Sequence, residues 1–387
     1  MASYPRVAPH ISALPPQPAG KPISEVKREL GLTQVTKLAS NENPHGPSLA
    51  AIAAIHRAAL DIHRYPDASH FDLKQALSTH HDVQHEQIVL GNGSSELIDL
   101  LVRTYVDEEG HVLTSEGTFI AYRLSTESLG REYRSVPLNS MLQYDLDGLL
   151  RAVDEDTRLV FIANPNNPTG STIPPRELLD FIERLDAQTH GTSPIVVIDE
   201  AYIEYVHEDH AVDSLKLLKE RPSTVVLRTF SKAYGLAGIR CGYALTSREI
   251  AHHLDRVRSP FNVGSLAQAA SIAVLEDRKA LARNVQMNRA HREVLTTELA
   301  ARGLTCAPSQ ANFLLVDLPV SADRVFEELL QLGIITRPML IQGSRRHLRI
   351  TIGTAEENAR LIAALDQLLP RVWVHHGNVT NAMPCTR

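Results

Sequence analysis

The fold is indicated by the stretch Ser223-Thr-Val-Val-Leu227, which runs into Arg228-Thr-Phe-Ser-Lys232-Ala-Tyr-Gly-Leu-Ala-Gly-Ile-Arg240. The apolar, β-branched first part predicts a buried strand. Lys232 follows this strand, and an amine partly removed from water there loses its proton easily enough to form a Schiff base. Ser231 and Arg240 beside it could bind a phosphate. A lone Ser-Lys pair is more often a surface lysine in a glycine-rich loop, so the functional interpretation of Lys232 depends on the other motifs of the chain.

The composition excludes several classes of protein. The chain has 387 residues, of which 43% are hydrophobic and 22% charged, as in an ordinary globular protein. Its net charge of −6 gives no basic surface for nucleic acid, and no apolar run reaches the roughly 18 residues of a membrane helix. The three cysteines are far apart and lack zinc spacing, which favours a reducing cytoplasm and no metal site. We therefore expect a cytoplasmic protein without nucleic-acid or membrane partners.

Strands and helices alternate along the chain, and this order predicts a parallel α/β sheet. Residues 265–301 contain few helix breakers and predict one long helix that leaves the large domain. After it, three strand patterns and two helix patterns predict a small α/β domain. We expect four segments: an N-terminal arm over 1–45, a large domain over 46–280, a small domain over 281–370 and a tail over 371–387.

Polar motifs follow several of the predicted strands. Gly91-Asn-Gly-Ser-Ser-Glu96 opens a helix and could bind a phosphate, but it lacks the third glycine of a dinucleotide site. Asn164-Pro-Asn-Asn-Pro-Thr-Gly170 is a stiff loop with three amide side chains. Asp199 ends another buried strand, where a carboxylate is costly unless it meets a cation. Ligands of open α/β sheets bind at the carboxyl ends of strands, so these motifs predict one shared site.

These motifs, in this order, resemble the fold-type I pyridoxal-phosphate aminotransferases. The match also includes Arg64-Tyr-Pro66, Asp199 with Tyr202, and Leu348-Arg-Ile-Thr-Ile-Gly353. Within that superfamily the sequence is similar to the histidinol-phosphate aminotransferases. Four segments carry this similarity: Ser40-Asn-Glu-Asn-Pro44, the Lys232 stretch, Gln310-Ala-Asn-Phe313 and Thr336-Arg-Pro-Met339. The resemblance implies an α/β fold with a large domain, whose mainly parallel seven-stranded sheet is flanked by helices. It also implies a small α/β C-terminal domain that the N-terminal arm joins.

The resemblance implies a role for each matching residue. Lys232 would bind the cofactor aldehyde and move the substrate proton, and Asp199 would keep the pyridine nitrogen protonated. The other implied cofactor contacts are Tyr202 and Asn167 to the phenolic oxygen, Phe119 to the ring face, and Gly93, Ser94, Ser231 and Arg240 to the phosphate. Tyr65 would reach the phosphate from a partner subunit, which implies a homodimer. The implied substrate-binding residues are Arg349, Arg337 and Asn167.

The function implied by the resemblance is a ping-pong transfer of an amino group from L-histidinol phosphate to 2-oxoglutarate, in histidine biosynthesis. An aromatic amino acid aminotransferase on the same scaffold is the alternative, and a pyridoxal-phosphate decarboxylase or lyase is a more distant one. The arm departs from the family pattern, because Pro16 or Gln17 stands where relatives often carry a tyrosine. That change leaves the identity of the amino donor open.

Overall fold

The structure is a computed structural model that describes residues 6–16, 20–189 and 193–373. The strands are β1 (Thr36–Lys37), β2 (Ile88–Gly91), β3 (His111–Ser115), β4 (Glu132–Val136), β5 (Thr157–Ala163), β6 (Ile195–Asp199), β7 (Thr224–Thr229), β8 (Gly242–Thr246), β9 (Thr305–Cys306), β10 (Phe313–Asp317), β11 (Ile334–Ile335), β12 (Arg337–Ile341) and β13 (Ser344–Thr351). The helices are α1 (Pro9–Ser12), α2 (Ile23–Leu30), α3 (Leu49–Ala58), α4 (Phe71–His81), α5 (Ser94–Tyr105), α6 (Ile120–Ser128), α7 (Leu146–Ala152), α8 (Pro175–Thr189), α9 (Ser214–Glu220), α10 (Arg248–Val257), α11 (Ser265–Glu276), α12 (Arg278–Ala300), α13 (Ala322–Gln331) and α14 (Ala355–Trp373).

A seven-stranded sheet forms the large domain, in the order β2-β8-β7-β6-β5-β3-β4. Its strand pairs are parallel except those made by β8, which runs antiparallel to β2 and β7. In β5, alternate residues enter two different hydrophobic cores, with Phe161 on one face and Ile162 on the other. Burying each such side chain contributes about 2 kcal/mol. The predicted mainly parallel seven-stranded sheet with helices on both faces is confirmed.

A four-stranded antiparallel sheet, in the order β12-β13-β10-β9, forms the small domain. Residues of α12, α13 and α14 pack on it in a separate hydrophobic core. The N-terminal segment joins this domain, because β1 pairs in parallel with β11 through Thr36 and Ile334. The predicted small α/β domain, joined by the N-terminal arm, is therefore confirmed.

Several predicted boundaries were wrong. The long helix predicted over 265–301 is two helices, because Asp277 leaves helical geometry and its side chain accepts a hydrogen bond from the Ala280 N–H. Residues 333–338 have the sequence pattern of a single strand, but the structure divides them between β11 and β12. Ser24 is of a residue type that favours a helix N-cap, but α2 begins at Ile23, after Pro22, so Ser24 lies inside the helix. Gln17 and residues 374–387 of the tail lie outside the described residues. Among the helices described, none combines the length and hydrophobicity that crossing a membrane requires.

Candidate active site

A cavity of about 200 Å³ lies at the carboxyl ends of β5, β6 and β7. The strand register brings these ends together, since Ala163 pairs with Asp199 and Asp199 with Leu227. Most of the residues singled out in the sequence line it, although they come from distant parts of the chain. They are Ser94, Phe119, Asn167, Asp199, Tyr202, Ser231, Lys232, Arg240 and Arg349.

Lys232 provides the amine of the cavity. Its Nζ lies 3.3 Å from the carbonyl oxygen of Asn41 and 3.5 Å from that of Ser40, and it donates weakly to both. Burial lowers the pKa of Lys232 to about 8, with a smaller contribution in the same direction from the nearby charge of Arg349. An amine with this pKa releases its proton near physiological pH far more readily than an ordinary lysine, as a nucleophile or a proton acceptor must.

Asp199 is a buried carboxylate at the end of β6. Its Oδ2 accepts a hydrogen bond of 2.7 Å from the Tyr122 hydroxyl, and its Oδ1 accepts one of 3.1 Å from the Ala201 N–H. Burial raises the pKa of Asp199 to about 6, although the Tyr122 hydrogen bond opposes the shift. A cationic group in the cavity would favour the ionised carboxylate. Tyr122, whose ring stacks on Phe161 at 4.5 Å, was missed because nothing in its local sequence points to Asp199.

An anion-binding cup closes one end of the cavity. The first residue of α5 is Ser94, so the free N–H groups of this helix and the positive end of its dipole face the cup. Gly93 has φ +77°, and a side chain there would collide with the guanidinium of Arg240. Arg240 in turn lies 3.4 Å from the Ser231 hydroxyl. This combination of helix N-terminus, hydroxyl and guanidinium fits a phosphate. Two further hydroxyl residues line the cavity: Ser95, which belongs to the motif predicted to bind a phosphate, and Thr229, for which the sequence predicted no role.

The hydroxyl of Tyr202 is held between two amides. It accepts hydrogen bonds from Asn41 Nδ2 at 3.0 Å and from Asn167 Nδ2 at 3.3 Å. Burial raises the pKa of Tyr202 to about 12, so the phenol stays protonated at neutral pH. Phe119 also lines the cavity and packs edge-on against the Tyr122 ring, with the ring centroids 5.7 Å apart. The Asn41 contact was missed because Asn41 had been noticed only as part of a family motif.

Arg349 reaches the cavity from the small domain without a carboxylate partner. Its Nη1 donates to Asn167 Oδ1 and its Nη2 to the Ala39 carbonyl, each at 2.7 Å. Within the described chain its Nε is buried without a hydrogen-bond partner. Burial lowers the pKa of Arg349 to about 10. Arg337 lies directly opposite Arg349 in the β12–β13 pair, and neither arginine forms an ion pair with a carboxylate in the part of the chain described. Two such cations invite an anionic ligand.

Tyr65 lies away from the cavity of its own chain. Its side chain is 82% exposed and stacks on Phe261, with ring centroids 4.7 Å apart. It is therefore not among the residues that line the cavity, and a role at an active site would require the cavity of another subunit.

Comparison with known proteins agrees with this geometry. The family model for aminotransferase class I and II matches residues 33–365. A histidinol-phosphate aminotransferase of Anaeromyxobacter sp. (strain Fw109-5) is 45% identical over 366 residues, which cover 94% of this chain and 99% of the relative. The chain belongs to the histidinol-phosphate aminotransferase family. This aminotransferase is also 42% identical to histidinol-phosphate aminotransferase 1 of Idiomarina loihiensis over 362 residues, which cover 94% of this chain and 97% of that relative.

A solved structure extends the comparison to three dimensions. It is the crystal structure of histidinol-phosphate aminotransferase from Sinorhizobium meliloti in complex with pyridoxal 5'-phosphate. The two chains are 31% identical with a TM-score of 0.87, and the alignment covers 96% of this aminotransferase and 99% of the other chain. The predicted family, fold type and aminotransferase activity are thus confirmed.

Proposed function

We propose that this enzyme transfers the amino group of L-histidinol phosphate to 2-oxoglutarate in histidine biosynthesis, with pyridoxal 5'-phosphate as its cofactor. The observation that carries the proposal is a pair of opposed arginines. Arg349 lines a cavity that already contains the amine of Lys232 and the carboxylate of Asp199, and Arg337, which is not among the lining residues, lies opposite Arg349 in the strand pair. Both proposed substrates bring an anion at a distance from the reacting carbon: a phosphate in one, and a second carboxylate in the other.

The residues present fit pyridoxal phosphate. The cup around Gly93, Ser94 and Arg240 matches its phosphate, and a side chain at Gly93 would collide with Arg240 and disturb that cup. Asp199 is buried and has no ion-pair partner among the described residues, so it suits a protonated pyridine nitrogen. The relative from Sinorhizobium meliloti binds the same cofactor and shares the fold. When bound, the cofactor supplies an electron sink that stabilises negative charge at the substrate α-carbon.

The residues of the chain then act in distinct ways. Lys232 is the one lysine among the residues that line the cavity, so its Nζ would hold the proton that leaves the α-carbon. Tyr202 and Asn167 orient the phenolic side of the ring, and Phe119 covers its face. Arg349 would grip a carboxylate or phosphate of the substrate through its free Nε, with Arg337 as a second anchor. The two substrates would use these anchors in turn, in a ping-pong reaction.

A homodimer is part of the proposal. Large apolar side chains are exposed in the segment of chain that leads to Tyr65: Leu49 at 87%, Leu60 at 80% and Ile62 at 65%. Exposed apolar groups of this size are typical of surfaces that a partner covers. In such a dimer Tyr65 would complete the phosphate cup of the other subunit. We also propose that residues 46–280 bind the cofactor and 281–370 the substrate anion, and that the enzyme is cytoplasmic.

The proposal is tested by measuring kcat/KM for L-histidinol phosphate and for L-phenylalanine, with 2-oxoglutarate as acceptor, in the wild type and in Arg337→Gln. We expect the wild type to prefer histidinol phosphate by about a hundredfold, roughly 2.7 kcal/mol of transition-state binding. Arg337→Gln should lose most of that preference, because phenylalanine has no distal anion.

Other outcomes would redirect the proposal. A wild type that prefers phenylalanine would favour an aromatic amino acid aminotransferase and would point to the arm around Gln17. Turnover of either donor without a keto acid would favour a decarboxylase or lyase, because an aminotransferase stops after one half-reaction. Arg345→Gln is the matched control for Arg337→Gln, since Arg345 is an exposed arginine of the same hairpin whose guanidinium faces Asp323.

A further inference from the structure

Asn41 occupies an unusual position at the edge of the cavity. It is 1% exposed and has φ +55°, in the left-handed region that few residues other than glycine adopt. Residues held in such conformations cluster at functional sites. Asn41 lies in the loop that follows β1, a strand of the small domain. From this loop its side chain reaches Tyr202, one of the cavity residues of the large domain.

The contacts of Asn41 connect it to both domains. Its backbone N–H donates to the Thr351 hydroxyl at 2.9 Å, and that hydroxyl lies 3.3 Å from Asn41 Oδ1, to which it donates. The Asn41 carbonyl accepts from Asn312 Nδ2 at 3.0 Å and from Lys232 Nζ at 3.3 Å. Because Oδ1 accepts the Thr351 hydrogen, Nδ2 is the end that faces Tyr202.

The second amide at Tyr202 is oriented in the same way. Asn167 Oδ1 accepts from the Arg349 guanidinium at 2.7 Å, so Asn167 Nδ2 also faces the Tyr202 hydroxyl. A phenol oxygen accepts two hydrogen bonds and donates one. With an amide hydrogen on each acceptor position, the hydrogen of Tyr202 has to be donated elsewhere, and the cavity is the side that remains.

We propose that Asn41 is a positioning residue that forces the Tyr202 hydroxyl to donate its hydrogen into the cavity, toward the phenolic oxygen of the bound cofactor. The inference rests on the proposed function, because it assumes that pyridoxal phosphate occupies the cavity. Asn41 does not touch the reacting atoms in this role. It acts by supplying an amide donor that Tyr202 must accept, in a backbone conformation that Thr351 and Asn312 maintain.

The substitution Asn41→Asp tests this role most directly. It keeps the shape and the tolerance of a left-handed conformation but replaces the amide donor by a carboxylate. The Tyr202 hydroxyl would then donate to Asp rather than into the cavity. Loss of a donor to a negatively charged oxygen raises the pH at which the visible absorption of the bound cofactor changes. We expect the midpoint of this absorption titration to rise by about one pH unit, the size of one hydrogen bond to a charged group.

Two further variants separate this effect from charge and from backbone strain. Asn41→Gly removes the donor and relaxes the backbone, and we expect a smaller upward shift of the midpoint because Tyr202 keeps the Asn167 donor. Asn43→Asp makes the same chemical change two residues away, where the amide donates to the Ala233 carbonyl and does not contact Tyr202. Its midpoint should stay close to that of the wild type.

The outcomes distinguish failure of the inference from failure of the proposed function. If pyridoxal phosphate gives no visible band with the wild type, the proposed function is wrong. If the wild type gives the band but Asn41→Asp and Asn41→Gly titrate like Asn43→Asp, Asn41 has a purely structural role and the inference is overturned. Should Asn41→Asp not fold, the comparison of Asn41→Gly with Asn43→Asp decides the question alone.

Discussion

Two arginines of this fold, Arg228 and Arg349, are buried in opposite ways. Arg228, near the end of β7, lies 2.8 Å from the carboxylate of Glu200, whose side chain is 1% exposed. Burial by itself lowers the pKa of Arg228, but the nearby carboxylates, that of Glu200 first, raise it above its ordinary value. Arg349, in β13, has only neutral hydrogen-bond acceptors among the described residues, and burial lowers its pKa to about 10. The charge of Arg228 is neutralised within the chain, whereas the described residues supply no counter-charge for Arg349.

The difference separates structural from functional burial of charge. A buried ion pair whose members satisfy each other fixes the local structure, and removing one partner is costly. A buried cation without a counter-charge lowers stability, and an anionic ligand removes that cost on binding. Lys232 belongs to the second group, because it too has backbone carbonyls rather than a carboxylate as partners. Activity and stability should therefore respond in opposite directions at the two kinds of position.

The largest effect is expected for Arg349→Gln. Its kcat/KM for histidinol phosphate should fall about a thousandfold, roughly 4 kcal/mol, because the substrate anion loses a buried charged partner. The free energy of unfolding of the cofactor-free protein, measured in urea, should not fall, because the variant no longer buries an uncompensated guanidinium. A loss of stability comparable to the loss of transition-state binding would place Arg349 with Arg228 and remove the contrast.

The next effect is expected for Arg228→Met. The free energy of unfolding should fall by about 3 kcal/mol, because the Glu200 carboxylate remains buried without its partner. The double variant Arg228→Met with Glu200→Gln should recover a large part of this loss, since no unpaired charge remains. Urea unfolding of the single and double variants measures both changes. Equal stabilities of the two would show that leaving the Glu200 carboxylate unpaired carries no measurable cost, which would contradict the prediction.

The sequence predicted those site residues that stand in a recognisable local sequence pattern. Asp199 ends a buried apolar strand, and Lys232 follows another one closely. A polar residue at such a position can be recognised from the local sequence alone. Asn167 was predicted because two prolines and three amides mark its loop. These residues lie together because the parallel strands that carry them end at the same edge of one sheet.

The contacts between distant residues could not be predicted in that way. Asn41 meets Tyr202 across 161 positions, Tyr122 meets Asp199 across 77, and Arg228 meets Glu200 across 28. For none of these residues does the local sequence pattern identify the contact partner. An aromatic residue such as Tyr122 has the pattern of an ordinary core residue. The break at Asp277 was hidden for a related reason, because one capping residue hardly disturbs a helical pattern.

The smallest effect concerns Lys232 and depends on pH. The folded pKa is about 8, against 10.5 for the ordinary side chain, so between these values the unfolded chain binds more protons than the folded one. Stability of the cofactor-free protein should therefore rise as the pH increases from 8 to 10.5, and below pH 8 the full penalty remains. Lys232→Met should be more stable than the wild type at pH 7 by about 2 kcal/mol, allowing for the partial exposure of the side chain.

That advantage of Lys232→Met should shrink as the pH approaches 10.5, because the unfolded lysine then also loses its proton. Urea unfolding of both cofactor-free proteins at pH 7 and pH 10 measures the difference in their free energies of unfolding. Groups other than Lys232 titrate in both proteins, so their contributions cancel in this difference. Lys216→Met, at an exposed lysine of α9, should show no such pH dependence relative to the wild type. An advantage of Lys232→Met that stayed constant with pH would mean that its origin is packing rather than charge. Lys232 would then no longer belong with Arg349, and the division between the two kinds of buried cation would rest on the arginines alone.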